Sequence, residues 1–241
     1  MKVMIFAPAL FLGLLGSSAF AARYQVKVTN GGEMPISPVA VYVSDTEATT
    51  SALGMPATPG FIKLCQTGNP DLRLQELDAE PAVRSTYRTN GLLFPGMSET
   101  IQVEVRDPLS QKIHFEAMYG KSKDACATFT VQSATLVELA HEQNRDSVGQ
   151  DRVVATGAFY DPALPAGADT TTGCAGLSSA VDCLRSLATA KAKPTLVRAF
   201  PGYLPSVLSA LEHAFGSMEA QNLVIPAAGA LTYQVKLIGT R

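Results

Sequence analysis

The sequence has no concentrated block of positive charge. Its 241 residues include 19 lysines and arginines against 21 aspartates and glutamates, for a formal net charge of −2. A nucleic-acid-binding protein needs a basic patch or stripe, so nucleic acid is not expected as a partner. Charged residues make up only 17% of the chain, a fraction typical of a compact exported domain rather than of a disordered one.

The sequence also lacks the motifs on which common catalytic sites are built. It contains no Gly-x-Ser-x-Gly elbow, no zinc-protease histidine pair, no phosphate-binding glycine loop and no dinucleotide fingerprint. The three histidines are His114, His141 and His213, and no two of them lie four residues apart. A Glu138-Leu-Ala-His141 match is short enough to arise by chance. We therefore expect a protein without catalytic activity.

A long apolar run is present only at the start of the chain. Residues 1–22 combine a lysine, an apolar stretch and small residues before a cleavage point, which is the pattern of a signal peptide. The apolar stretch is shorter than the roughly 20 residues that a membrane-spanning helix needs. We expect cleavage after Ala21 or Ala22 and export to the periplasm or the extracellular space. No transmembrane segment is expected in the mature chain, residues 23–241.

Cysteine is scarce, and its four occurrences all follow the leader: Cys65, Cys126, Cys174 and Cys183. An even number of cysteines behind an export signal predicts disulfide bonds. The sequence has no Cys-x-x-Cys spacing of the kind that would indicate a zinc site instead. Cys174 and Cys183 are close in sequence and are expected to pair, which would leave Cys65–Cys126 as the long-range bond. The other two connectivities stay open.

Alternating apolar and polar residues predict several β-strands. The predicted strands are 24–28, 39–43, 99–105, 112–119, 127–131, 153–160 and 231–237. A short Asp-Pro-Leu-Ser-Gln connection separates the third from the fourth, and these two strands are predicted to form a hairpin. Tyr233-Gln-Val-Lys repeats Tyr24-Gln-Val-Lys, which indicates two similar edge or neighbouring strands that bracket one domain.

Helical spacing appears in three places. A short helix is predicted over 71–80, after a Pro-containing loop at 51–60, and apolar stripes predict longer helices at 175–190 and 204–221. Such stripes are typical of core packing. We predict an all-β fold, an antiparallel β-sandwich formed as one domain by residues 23–241, with helical insertions in its C-terminal third.

A series of short motifs follows the chain in a recognisable order. They are Val28-Thr29-Asn30, Ser37-Pro38-Val39, Pro56-Ala-Thr-Pro-Gly60, Leu93-Phe94-Pro95-Gly96, Phe115-Glu-Ala-Met118, Phe159-Tyr160-Asp161 and Phe200-Pro201-Gly202. In this order they resemble the N-terminal domain of the spondin family, as found in bacterial exported proteins with a lone spondin domain. The resemblance covers nearly the whole mature chain and is strongest over 24–124. It implies a fold similar to calcium-dependent lipid-binding β-sandwiches, and a binding or adhesion role.

The resemblance also implies a calcium site of three acidic residues. The first ligand maps onto Asp124 and the second onto Asp161, whereas the third falls on Pro165, which has no side-chain ligand. Asp169, in a stretch of small residues, is the candidate substitute. Calcium needs six to eight oxygen ligands, usually with several carboxylates among them, so the loss of one carboxylate lowers the expected affinity.

The neighbours of Asp124 offer an alternative to calcium. Lys121 and Lys123 precede it directly, and either could compete with a bound cation or pair with the carboxylates. The aspartates could also cap turns.

The expected function is a non-catalytic binding or adhesion module, with calcium as a candidate cofactor and a protein or glycan surface as partner. One alternative is a structural envelope or matrix component without a metal site. Another is a metal-dependent hydrolase in which Asp124 and Asp161 converge with a histidine.

Overall fold

The computed structural model describes residues 21–45, 53–120, 125–142, 145–155, 197–199 and 229–240. Within these ranges the chain forms two antiparallel sheets and three short helices, so the predicted all-β sandwich is confirmed. Residues 1–20 of the predicted leader and the predicted helices at 175–190 and 204–221 lie outside the described residues.

Along the chain, single strands of the four-stranded sheet are separated by consecutive pairs of strands of the six-stranded sheet. They are β1 (Ala22–Asn30), β2 (Ala40–Ser44), β3 (Val83–Arg88), β4 (Ser98–Val105), β5 (Lys112–Met118), β6 (Ala125–Val131), β7 (Asp146–Gln150), β8 (Arg152–Ala155), β9 (Arg198–Ala199) and β10 (Leu231–Thr240). The helices are α1 (Pro59–Thr67), α2 (Asp71–Asp78) and α3 (Ser133–His141). One sheet has the order β4-β1-β10-β7 and the other the order β3-β2-β5-β6-β8-β9.

The two Tyr-Gln-Val-Lys segments pair with each other. They lie in β1 and β10, which are antiparallel neighbours, with Val26 opposite Val235. Because the strands run in opposite directions, each glutamine of the motif faces the lysine of the other copy. The prediction of neighbouring strands is confirmed, and both occupy inner rather than edge positions.

The predicted hairpin between β4 and β5 is wrong. The two strands belong to different sheets: β4 pairs with β1, whereas β5 pairs with β2 and β6. Their connection crosses the sandwich, and Asp107 and Gln111 hold it through side-chain hydrogen bonds to its backbone N–H groups. The alternation of apolar and polar residues correctly predicted that each strand has a buried face. Because both sheets bury one face in the same core, the alternation does not predict which strands pair.

The helix α1 begins inside the segment predicted to be a loop. Thr58 is its N-cap and accepts a hydrogen bond from Phe61, and Pro59 occupies the first helical position, where its fixed φ suits a helix. The carboxylate of Glu76 accepts the N–H of Gly60 at 2.7 Å and the hydroxyl of Thr58 at 2.6 Å. Pro59, in the segment predicted to be a loop, therefore opens a helix, whereas α2 is confirmed close to its predicted bounds.

Aromatic rings fill the centre between the sheets. Phe115 and Phe129 stack with ring centroids 4.1 Å apart, and Phe129 stacks on Tyr233 at 4.4 Å. Gly149 lies opposite Tyr233 in the pairing of β7 with β10. A Cβ at Gly149 would come within 2.2 Å of the Tyr233 ring, so the close packing of this ring requires glycine.

A helical layer, formed by α1 and α2, covers the outer face of the six-stranded sheet. Phe61 and Leu64 of α1 pack with residues of β2, β5 and β6 in a second buried cluster. Within this cluster a disulfide joins Cys65 of α1 to Cys126 of β6, and both cysteines are fully buried. The predicted Cys65–Cys126 bond is thus present, while Cys174 and Cys183 lie outside the described residues.

Candidate functional site

A buried asparagine organises one end of the sandwich. Asn30 is the last residue of β1 and is fully buried. Its side-chain Nδ2 donates hydrogen bonds to the carbonyl oxygens of Met34 and Leu93, each at 2.8 Å, and its Oδ1 accepts one from the N–H of Gly32 at 3.0 Å. Since an amide side chain carries two donors and an acceptor, this residue ties two separate loops to β1.

The backbone of Asn30 holds the loop between β3 and β4 as well. Its N–H donates to the carbonyl of Met97 at 2.9 Å, and its carbonyl accepts the N–H of Gly96 at 2.7 Å. Leu93 and Ile36 exchange two further backbone hydrogen bonds of 2.9 Å. The loop is therefore fixed at three of its residues.

This fixed loop presents apolar side chains to solvent. Leu92, Phe94 and Met97 are 49%, 52% and 47% exposed, and we call these three residues the apolar tip. Gly96 has a φ of 78°, a left-handed conformation that favours glycine. A Cβ at Gly96 would meet no atom within 4 Å, so the turn stands clear of its described surroundings.

Strand β5 ends beside the apolar tip. Ile36 forms bridges with both Leu93 and Tyr119, and the N–H of Gly120 donates to the carbonyl of Pro35 at 2.6 Å. The chain thus leaves β5 at the same end of the sandwich that carries the tip.

The predicted calcium ligands Asp124, Asp161 and Asp169 all lie outside the described residues. Ala125, which follows Asp124 in the sequence, pairs with Ala155 of β8. Within the part of the chain that the structure describes, no three His, Cys, Asp or Glu residues are grouped closely enough to hold a metal. The calcium site therefore stays a prediction.

A buried histidine lies on the outer face of the six-stranded sheet, under the helical layer. The Nε2 of His114 lies 2.9 Å from the hydroxyl of Ser44, its Nδ1 lies 3.0 Å from the hydroxyl of Thr130, and its ring stacks on Tyr42. Ser44 is fully buried, and the group on Nδ1 is a hydroxyl rather than a carboxylate. These contacts fix the side chains on this face of the sheet, and the buried serine hydroxyl is not accessible to a substrate.

The Glu138–His141 match lies on α3. A small cleft of about 230 Å³ opens between α3 and β7, and Glu138 lines it together with Arg145 and Asp146. His141 does not belong to that lining; it is exposed in the last turn of the helix. The two residues of the match therefore do not share this cleft. His213 lies outside the described ranges.

A buried ion pair joins the helical layer to the sheet. The guanidinium of Arg73 in α2 donates to both carboxylate oxygens of Glu116 in β5, at 2.7 and 2.8 Å, and the Tyr42 hydroxyl donates to the same carboxylate at 3.0 Å. Burial alone would lower the pKa of Arg73, but the charge of Glu116 and its hydrogen bonds raise this pKa above its ordinary value. The guanidinium is therefore held as a cation in a fully buried place.

A second buried carboxylate links the two sheets. Asp151, between β7 and β8, accepts hydrogen bonds from the hydroxyl of Tyr119 and from the N–H groups of Gly229 and Leu231. Burial raises the pKa of Asp151 above its usual range, and the hydrogen bonds act in the opposite direction. Burial also raises the pKa of Tyr119. These groups fix the start of β10.

Sequence reasoning missed the role of Asn30 and the exposure of the tip. In the sequence, Asn30 belongs to the motif Val28-Thr29-Asn30, and Leu93-Phe94-Pro95-Gly96 is another motif of the same series; neither motif indicates that Asn30 is buried or that the loop is exposed. One signal could have found the tip: the ten residues 89–98 contain no charged side chain, although they include Leu92, Phe94 and Met97. In a short connection between strands, such a run is unusual for a solvated loop.

Among the described residues, no helix combines the length and the apolar character needed to cross a membrane. Comparison with protein-family models and with curated proteins finds no match for this chain. The spondin resemblance therefore continues to rest on the order of the sequence motifs.

Proposed function

We propose that this chain is an exported, non-catalytic binding or adhesion module of the spondin type, and that its contact surface is the end of the sandwich that carries the apolar tip. The observation that supports this most is that a fully buried Asn30 holds a loop on which three apolar side chains are left about half exposed. Clustered apolar residues on the surface of a soluble domain commonly mark an interaction site.

The rigidity of the loop supports a binding role. Binding costs free energy when a flexible loop must be ordered. Here Asn30, Ile36 and the turn at Gly96 order the loop in the free protein. A partner would therefore meet the apolar side chains already in place.

Export is supported by two features of the described chain. The first strand begins at Ala22, so cleavage after Ala21 would leave β1 complete. The Cys65–Cys126 disulfide suits an oxidising compartment such as the periplasm or the extracellular space.

Calcium assistance is the part of the proposal that rests on sequence alone. Asp124 and Asp161 are the proposed ligands, with Asp169 as the substitute for the third. Calorimetric titration of the mature protein with calcium tests it, with Asp124→Asn as the matched variant. Binding heat that disappears in the variant supports the site; no heat and no change in melting temperature at millimolar calcium removes it.

Capture of partners from envelope and matrix fractions tests the binding role. The bait is the mature protein, compared with a variant that carries Leu92→Ser, Phe94→Ser and Met97→Ser. Leu109→Ser is the control, since Leu109 is 67% exposed in the β4–β5 connection at the opposite end. We expect capture by the native protein and the control but not by the tip variant. Equal capture by all three would overturn the assignment of the contact surface.

Repeating the capture in the presence of a chelator distinguishes the calcium-assisted binding module from the alternatives. Tip-dependent capture that persists in chelator supports a binding module that does not need calcium, and capture lost in chelator supports the calcium-assisted form. For a structural envelope component without a binding end, capture would depend neither on the tip residues nor on the chelator.

A further inference from the structure

Part of the backbone of the tip loop is hydrogen-bonded within the protein. The N–H groups of Leu93, Gly96 and Met97 donate to Ile36, Asn30 and Phe94, respectively. The carbonyls of Leu93, Phe94 and Met97 accept from the protein in turn, and Pro95 has no N–H to satisfy. Each of these hydrogen bonds lowers the cost of moving that part of the loop out of water, because unpaired polar groups are costly in an apolar phase.

Charge is excluded from the tip and kept at its base. The nearest charged residues in sequence are Arg88 and Glu99. Arg88 pairs with Asp71 of α2, and the Glu99 carboxylate accepts hydrogen bonds from the backbone and side chain of Asn90, at 2.7 and 3.0 Å. No charged group of this segment would have to be buried if the tip left water.

The size and shape of the tip distinguish between partners. Three half-exposed side chains of this kind offer on the order of 300 Å², well below the roughly 800 Å² that each protein contributes to a standard interface. The turn also projects outward, since no atom of the described residues lies within 4 Å of a Cβ built at Gly91 or Gly96. A fluid apolar phase can cover a small projecting tip without a complementary groove.

We propose that the apolar tip inserts into the interfacial region of a lipid bilayer, and that insertion does not require calcium. This inference rests on the proposed function, because it names the partner class for the same end of the sandwich. Apolar burial drives the insertion, so Phe94 contributes most and Leu92 and Met97 add to it.

The chain contains no tryptophan, so a single introduced tryptophan reports on its own surroundings. Phe94→Trp keeps the tip aromatic, and Leu109→Trp provides the matched probe at the opposite end. The probes are phosphatidylcholine vesicles, alone and mixed with phosphatidylglycerol, in the presence of chelator. We expect the emission of Phe94→Trp to shift to shorter wavelength as lipid is added, and that of Leu109→Trp to stay unchanged.

Vesicle co-sedimentation measures the same step without the probe. Phe94→Ser is expected to lower the partition coefficient about tenfold, because it removes most of the aromatic surface from the tip. Leu109→Ser is expected to leave the coefficient unchanged. Circular dichroism of both variants confirms that they are folded.

Two results would overturn the inference. One is an unchanged Phe94→Trp emission at about 1 mM lipid, where a partition coefficient of about 10⁴ M⁻¹ would give nearly complete binding. The other is equal partitioning of native protein and Phe94→Ser. If vesicles fail while capture from matrix fractions still depends on the tip, the lipid inference falls and the proposed binding function stands. If both fail, both fall.

Discussion

The helical layer and the apolar tip each depend on a buried polar side chain, but they differ in what is left exposed. Arg73 joins the helical layer to the sheet, and it and its partner Glu116 are almost completely buried. Asn30 is just as buried, yet the loop that it holds leaves Leu92, Phe94 and Met97 about half exposed. A buried polar side chain therefore stabilises the helical layer, whereas in our account a buried polar side chain holds the apolar tip in place for binding.

This comparison makes opposite predictions for the two regions. Substitutions in the helical layer should lower the free energy of unfolding, and binding should change only because folded protein is lost. Substitutions of exposed tip residues should lower binding and leave stability unchanged. Asn30 lies between these cases, because its side chain serves both the fold and the loop.

The largest effect is expected from Glu116→Ala. It removes the bidentate partner of a fully buried guanidinium, which typically costs about 3–5 kcal/mol of unfolding free energy. Denaturant unfolding measures the change. Arg88→Ala is the control: it breaks an exposed ion pair with Asp71 and should cost less than about 1 kcal/mol. Equal losses in the two variants would show that the buried pair has no special structural weight.

The next effect is expected from loss of the disulfide. The variant with both Cys65→Ala and Cys126→Ala opens a link between residues separated by 61 positions, and it should lower stability by about 2–5 kcal/mol. Thermal unfolding of native and variant protein, both without reductant, measures the change. An unchanged melting temperature would contradict the view that this bond secures the helical layer.

A smaller loss of stability is expected from Asn30→Ala. It leaves the carbonyls of Met34 and Leu93 and the N–H of Gly32 without their side-chain partner, at a cost of about 1–3 kcal/mol. Because the tip loop would lose its bracing, binding to the partner surface should weaken as well. Asn30→Asp, which places a carboxylate oxygen against the carbonyls of Met34 and Leu93, should cost more than Asn30→Ala, because a buried charge without a partner is costly. A variant that loses stability but binds as tightly as the native protein would show that the hydrogen bonds of Asn30 are not needed for binding.

The sequence predicted strands well where one face is buried. Tyr24, Val26 and Val28 alternate with polar residues, and their side chains are buried in β1 while the intervening ones are not. Strand β3 was missed because its side chains are mostly half-buried at the sheet edge, so no clear alternation appears. The period of two identifies a buried face, and it leaves the partner strand undetermined.

The candidate site was harder to predict than the fold. Arg73 and Glu116 lie 43 positions apart, so no local pattern pairs them. Asn30 follows a strand and precedes two glycines, which predicts a turn, but its contacts with Leu93 depend on a loop 63 positions away. The predicted metal ligands Asp124 and Asp161 came from the spondin resemblance, and both lie outside the described residues, as does the substitute Asp169.

The most direct test of the central claim measures stability and binding on one set of variants. The triple variant Leu92→Ser, Phe94→Ser, Met97→Ser is compared with Leu109→Ser and the native protein. We predict that the unfolding free energy of all three agrees within about 1.5 kcal/mol, since a surface substitution usually changes it by no more than about 0.5 kcal/mol, and that only the triple variant loses partner binding. A triple variant that binds like the native protein, or one that loses binding only because it has unfolded, would contradict the account.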